Sequence, residues 1–308
     1  MQNAYQTRNQ VFEFQVEGNI VYLAEIRRPS GPKLIKHSRR FIIARKGPQW
    51  KIRTTNLEED AVEYVEMGCN GTLVFELRQM NVARLRQELG ELPPNALTAQ
   101  GWIRHSKFPV GENSDFIFPL WLAFCSSDYF ISRKEGHLVS PELAEDNNNS
   151  RLVKSAQWQL NGSFLPSKVA WYKTGADNGF PPPFDGKFMS DSFEVASWKE
   201  FSGLHLPSRF EVKQFLPNHL LANPDPTQGE LYLLSVAKVH AKSIQPLSDF
   251  FCLPELTRKT LIIDGRFLCD SSCDGLLSYG SSSWLTEADV EAKNRQHGVK
   301  YEKPIPQD

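Results

Sequence analysis

A mainly β fold, an antiparallel sheet of successive hairpins with a few short helices, is predicted by three observations. Apolar and polar residues alternate with period two in at least nine segments, whereas only three show helical spacing. Twenty Phe and seven Trp stand against four Met, supplying the stiff aromatic side chains that pleated surfaces favour. Asn70-Gly71 lies between two alternating runs, the strongest short hairpin signal available.

The first strand is read from Phe12, Phe14 and Val16, alternating with Glu13, Gln15 and Glu17. A hairpin follows: residues 39–45, a Lys-Gly-Pro-Gln turn at 46–49, and a strand from Trp50. In that strand Trp50, Ile52 and Thr54 face one way, and Lys51 and Arg53 the other. Residues 62–67 and 72–77 form the next pair across Asn70-Gly71. Residues 81–92 read as a helix with Val82, Leu85 and Leu89 on one side, ended by Pro93-Pro94. Residues 119–130 read either as a second helix with Pro119 at its first position or as a buried strand. The polar stretch 140–151 reads as a surface loop.

Beyond it the chain nearly repeats a phrase, NGSFLPSKV at 161–169 and SGLHLPSRF at 202–210. Each copy reads as strand, Gly-centred turn, strand, with Gly162 and Gly203 expected at positive φ. Pro166 and Pro207 are expected where the second strand of each hairpin begins, because a central ladder does not tolerate a missing N–H. After them Val169 and Trp171, then Phe210 and Val212, point inward, and Arg209, Glu211 and Lys213 outward. Residues 175–188 and 219–230 are loops, 231–244 and 259–268 strands. A helix over 285–298 is capped at Thr286 and closed by Gly298.

Domain organisation follows: residues 1–250 form the sheet domain, its two halves joined by the loop near 140–151. Residues 251–308 form a C-terminal strand, loop and short helix packed on it or extending it.

Charge names no partner, because Lys and Arg number 35 against 36 Asp and Glu. No apolar run reaches the roughly 18 residues of a membrane span; FIFPLWLAF at 116–124 is half that and carries a Pro. Residues 1–14 show no basic segment followed by an apolar one, so an extracytoplasmic, periplasmic setting requires that a signal peptide has been removed. Five cysteines are too few for a disulfide framework in this length. Cys269 and Cys273 form the one close pair, read as separate loop thiols or a local disulfide, and no metal or other cofactor is expected.

Nucleophile-elbow, zinc-protease, phosphate-loop and dinucleotide motifs are absent. Ser30-Gly-Pro-Lys33 passes through Gly-Pro and cannot form a helical nucleophile motif. His205 and His240 read as outward polar residues, and Asp264 with Arg266 as an ion pair or a solvent-facing pair. No catalytic residue is assigned, and the reading leans away from an enzyme. Arg27, Arg28, Lys33, Lys36, His37, Arg39, Arg40, Arg45 and Lys46 crowd one stretch. They read as a solvated loop and an outward strand face, or as a contact for acidic lipid headgroups or a phosphorylated partner. Aromatics interleaved with these cations are lacking, so nucleic acid is not expected.

Trp50 to Thr54, Asn70-Gly71 and Gly203 to Val212 together resemble the superfamily of periplasmic outer-membrane lipoprotein carriers and their relatives. The resemblance implies a strongly curved, unclosed antiparallel sheet, a half-barrel, wrapped around short helices. It further implies that Trp50, Ile52, Phe210 and Val212 line a concave face that holds an apolar small molecule or a lipid or lipoprotein acyl chain. The expected function is a non-catalytic extracytoplasmic carrier or sensor. The alternative is a structural or protein-interaction β module with a self-filled core and a protein partner; an unrecognised hydrolase is the third reading.

Overall fold

The structure, a computed structural model, describes residues 13–28, 31–57, 62–93, 96–105, 117–125, 155–160, 165–174, 187–201, 204–216, 230–239, 251–269, 276–297 and 301–302. Its strands are β1 (Glu13–Arg28), β2 (Gly31–Lys46), β3 (Gln49–Asn56), β4 (Val62–Cys69), β5 (Leu73–Met80), β6 (Ala99–His105), β7 (Ser155–Leu160), β8 (Pro166–Thr174), β9 (Lys187–Phe201), β10 (Leu204–Leu216), β11 (Glu230–Val239), β12 (Thr260–Cys269), β13 (Leu276–Ser281) and β14 (Tyr301–Glu302). The described helices are α1 (Val82–Leu89), α2 (Ile117–Phe124) and α3 (Glu287–His297).

All fourteen strands belong to one open sheet, in the order β13-β12-β6-β5-β4-β3-β2-β1-β11-β10-β9-β8-β7, with β14 beside β12. Two meanders, β1 to β6 and β7 to β11, meet where β11 returns to lie antiparallel to β1, with Gly18 opposite Val239. β12 then adds to β6 as the one parallel neighbour among the described strands, Leu261 beside Gln100.

Local sequence accounts for the hairpins. At the β4–β5 turn Gly71 has φ of 109°, and the Asn70 side-chain oxygen accepts from the N–H groups of Thr72 at 3.2 Å and Leu73 at 2.9 Å. Asn81 caps α1 by accepting from Arg84 N at 3.1 Å. α1 buries no residue and Leu89 is 71% exposed, so its apolar side does not serve the core as its spacing suggests. α3 begins with a reciprocal cap: the Asp289 N–H donates to the Thr286 hydroxyl at 3.2 Å, and the Thr286 N–H donates to the Asp289 carboxylate at 3.1 Å.

The doubled phrase is indeed a hairpin twice, β7–β8 and β9–β10. Gly162, Gly203 and the side chain of Trp171 lie outside the described residues. Pro166 opens β8 as expected. Pro207 does not open β10, which already runs from Leu204. It stands where the β9 register shifts, beyond the last β11 partner at Arg209, so its missing N–H removes no bond from a two-sided ladder.

Over part of the sheet both faces are covered. On the outer face over β3 to β6 and β12, Leu77, Ile103, Ile262 and Leu256 are buried, with Leu253, Tyr279 and Trp284 packed against them. Lys51 and Arg53 point to this face as alternation requires, yet Lys51 is only 4% exposed. Both pair with the fully buried Glu66, Arg53 at 2.7 Å, and Lys51 also donates to the carbonyl of Cys252 at 3.0 Å. Tyr64 donates to the same carboxylate, and burial together with the Glu66 charge pushes its phenol well above the ordinary value. Asp264 and Arg266 form a buried two-pronged ion pair at 2.9 and 2.6 Å, joined by the Tyr279 hydroxyl at 3.0 Å.

Gly101 is a packing requirement of this cover. A Cβ built there would lie 2.8 Å from a ring carbon of Trp284, whose indole N–H is fixed on the carbonyl of Pro254 at 2.7 Å.

Candidate functional site

The inner face carries the larger core, and its register is continuous. One row runs Phe14, Arg45, Trp50, Cys69, Val74 across β1 to β5, and the next runs Val16, Ile43, Ile52, Met67, Glu76. On the other meander Phe210 stands opposite Ala237 and Val195, and Val212 opposite Ser235 and Phe193. These are the positions that alternation assigns inward. Trp50, Ile52, Phe210 and Val212 are all buried, at 3, 0, 0 and 4% exposure, and the structure brings them into a single cluster.

What joins them is α2. Its sequence, Ile117 to Phe124, is apolar on every side, and seven of its eight residues are buried. The two alternatives left by sequence are thus resolved as helix, with Pro119 at its third position rather than its first. α2 packs closest to β2 and β3 on one flank and β10 on the other. Those flanks are four strand positions apart from β3 to β10, about 19 Å in a flat sheet, against a helix about 10 Å across. The sheet therefore bends around α2 as a half-barrel, with α2 in its trough.

Aromatic contacts make the seat specific. Trp121 meets Trp50 edge-on at 6.5 Å and stacks on Phe118 at 6.3 Å. Phe124 touches Phe14 and Phe210, each at 6.1 Å, and Phe210 leans on Phe193 at 5.5 Å.

Two arginines of the basic run belong to the same wall. Arg39 and Arg45 share the parity of Phe41 and Ile43 and are fully buried, which corrects their reading as loop or outward residues. Arg45 donates to the carbonyl of Phe124 at 3.3 Å, and Arg39 to that of Val62 at 2.6 Å.

One strand beyond the apolar rows the wall becomes polar. Glu76 on β5 is 2% exposed and receives Arg78 at 3.3 Å on one oxygen. Burial, opposed by Arg78, pushes its carboxyl up to about 7. Arg78 continues into a groove of about 210 Å³ lined with Met80, Leu97, Ala99, Gln100 and Leu261.

Other candidates stand apart. His205 is exposed, its ring 5.3 Å from Trp198; His240 lies outside the described residues. Cys69 and Cys125 are buried and Cys252 is exposed, while Cys273 and the side chain of Cys269 lie outside the described residues. Among the described residues no group of three His, Cys, Asp or Glu side chains is arranged to hold a metal. None of the described helices is long and apolar enough to cross a membrane.

No family model matches the chain, and no curated protein matches it. Among solved structures the chain is similar to a LolA superfamily protein from Nitrosomonas europaea, at 13% identity over 82% of this chain and 97% of that one, with a TM-score of 0.40. It is also similar to a DUF1329 family protein from Desulfovibrio piger, at 8% identity over 80% and 95%, with a TM-score of 0.36. The half-barrel rests on the strand order and on α2, which this chain displays by itself.

Proposed function

We propose that the chain is a non-catalytic carrier or sensor that holds an apolar, acyl-chain-like ligand against Trp50, Ile52, Phe210 and Val212, in the place that α2 fills. The observation supporting this is the seat of α2: an apolar helix lying across an open trough, outside every strand ladder. Eight residues occupy a cylinder about 12 Å long and 10 Å across, on the order of 900 Å³. That is within the range of small-molecule cavities, roughly 300 to 1,000 Å³. Moving α2 out exposes apolar side chains at about 2 kcal/mol each, a cost that an acyl chain entering the trough offsets by taking over the same contacts. An extracytoplasmic setting and a lipid or lipoprotein donor belong to this proposal, since acyl chains need a carrier where they cross water between membranes.

The burial of all four lining residues favours a second reading, a β module whose core is complete with α2 in place. Native mass spectrometry of gently purified protein, with titration of a fluorescent fatty acid, separates the two. The carrier reading expects an acyl-sized adduct, or probe binding near micromolar, about −8 kcal/mol, accompanied by a change in Trp121 emission. Folded protein with neither adduct nor probe binding leaves the interaction module standing.

A further inference from the structure

Ten Lys and Arg residues lie between Arg27 and Arg53, and no Asp or Glu occurs from Ile26 to Leu57. Among the described side chains, six have partners within the fold. Arg39 and Arg45 are bonded to main-chain carbonyls on the inner wall, Lys51 and Arg53 pair with Glu66, Arg40 pairs with Glu17 at 2.7 Å and Lys46 with Glu13 at 3.5 Å. Arg27, Arg28, Lys33 and Lys36 fall together in one place.

That place is the far end of the β1–β2 hairpin. The two strands pair along their whole length, from Glu13 opposite Lys46 to Arg28 opposite Gly31. On β1 the β11 ladder stops at Ala24, and on β2 the β3 ladder stops at Arg39. Past Ala24 and its partner Ile35 four further pairs continue as a two-stranded arm, Glu25 with Leu34 to Arg28 with Gly31, reaching about 14 Å beyond the last ladder pair to a flanking strand. Leu34 on the arm is 69% exposed, and Lys36 at its base is exposed. A two-stranded ribbon is marginal alone in water. This one carries Glu25 and the cations Arg27, Arg28 and Lys33, a net positive charge, next to Ile26, Leu34 and Ile35.

We propose that this arm docks the protein on an anionic lipid bilayer, with Arg27, Arg28, Lys33 and Lys36 at the headgroups and Leu34 entering the interface. Charge complementarity selects the partner. The absence of Phe, Tyr and Trp from residues 25–36 separates the arm from the aromatic platforms of single-stranded nucleic-acid binders. Lysines on an unpaired edge also discourage strand addition between copies, and the test distinguishes that role.

The experiment is sedimentation of the full chain with phosphatidylcholine vesicles, with and without about one third phosphatidylglycerol. Binding is expected only with the anionic lipid, and is lost as salt shortens the screening length. Each cation is worth about fivefold in partitioning, so Lys33→Gln with Lys36→Gln lowers it about 25-fold. Lys168→Gln, on β8, leaves it unchanged, and thermal unfolding shows the double variant folded. Equal binding to neutral and anionic vesicles overturns the proposal. So does an unaltered affinity of the double variant, whether or not it self-associates, and so does binding of a short DNA duplex as tight as that of the vesicles.

Discussion

Arg45, near the end of β2, donates to the main-chain carbonyl of Phe124, the last residue of α2, at 3.3 Å, and to the carbonyl of Gly47 at 3.1 Å. A guanidinium thus sits where the unpaired carbonyls of the helix converge, the end at which a cation is favourable. The aromatic contacts of α2 set how its side chains seat, and this bond fixes where the helix ends along the trough.

Arg45→Met keeps the length of the side chain and leaves the Phe124 and Gly47 carbonyls buried without this donor. The expected cost is about 1 to 3 kcal/mol, read from the urea midpoint. Under the carrier reading the variant also takes up the fluorescent fatty acid faster than the parent. Unchanged stability would show that α2 is held by its apolar contacts alone.

Glu76 makes stability depend on pH in an unusual direction for a carboxylate. Its folded value is raised to about 7 by burial, so the folded protein keeps a proton that the unfolded chain gives up from about pH 4.5 upward. Stability from this group is therefore full below that value and falls as pH rises through 7. Glu76→Gln is expected to be neutral near pH 4 and stabilising at pH 8 by up to about 3 kcal/mol. Denaturation midpoints at the two pH values test this, and a variant less stable at pH 8 would mean that the ionised pair with Arg78 outweighs desolvation.

Gly101→Ala places a methyl group 2.8 Å from Trp284. Because Trp284 is fixed on Pro254, the ring cannot step aside without loosening the outer cover, and the expected loss is about 1 to 3 kcal/mol. Limited proteolysis should cut the C-terminal segment faster in the variant. Wild-type stability and cleavage would show that the indole has room to tilt.

Phe210→Leu tests the trough while keeping it apolar. It should lower stability by about 1 kcal/mol and change fatty-acid affinity severalfold, since Phe210 faces Phe124. Phe267→Leu, buried against Leu277 and Val290, is the matched control with a similar stability cost and no change in affinity. Equal effects of the two variants on probe binding would sink Phe210 as a lining residue.

Alternation in the sequence was enough to place Trp50, Ile52, Phe210 and Val212 on one face, and Asn70-Gly71 to place a turn. It also marked Arg39 and Arg45, which keep step with Phe41 and Ile43, although the density of charge around them suggested solvent. Period two assigns faces and not partners, so the seam between β1 and β11 and the parallel entry of β12 were not legible. Lys51 was read correctly as facing away from Trp50. Its burial was hidden because the cover comes from Cys252 and its neighbours, about two hundred residues along the chain and without regular structure to announce them. Pro207 deceived for a related reason: a bulge is a property of two strands together.

The seam between β1 and β11 also dictates the order in which the molecule assembles. Gly18 and Val239 are neighbours in the sheet but more than two hundred residues apart in the chain, whereas within each meander every strand pairs with the next in sequence. Loop-closure entropy makes such a distant pairing late and slow. Pulse-labelled hydrogen exchange should find the amides shared by β1 and β11 protected after those of β3 to β5, and simultaneous protection would contradict this order. During synthesis β1 leaves the ribosome early and then waits with one edge unfilled until β11 has been translated. The middle of the finished sheet is thus, for most of the chain's synthesis, an exposed margin open to strands from other nascent chains.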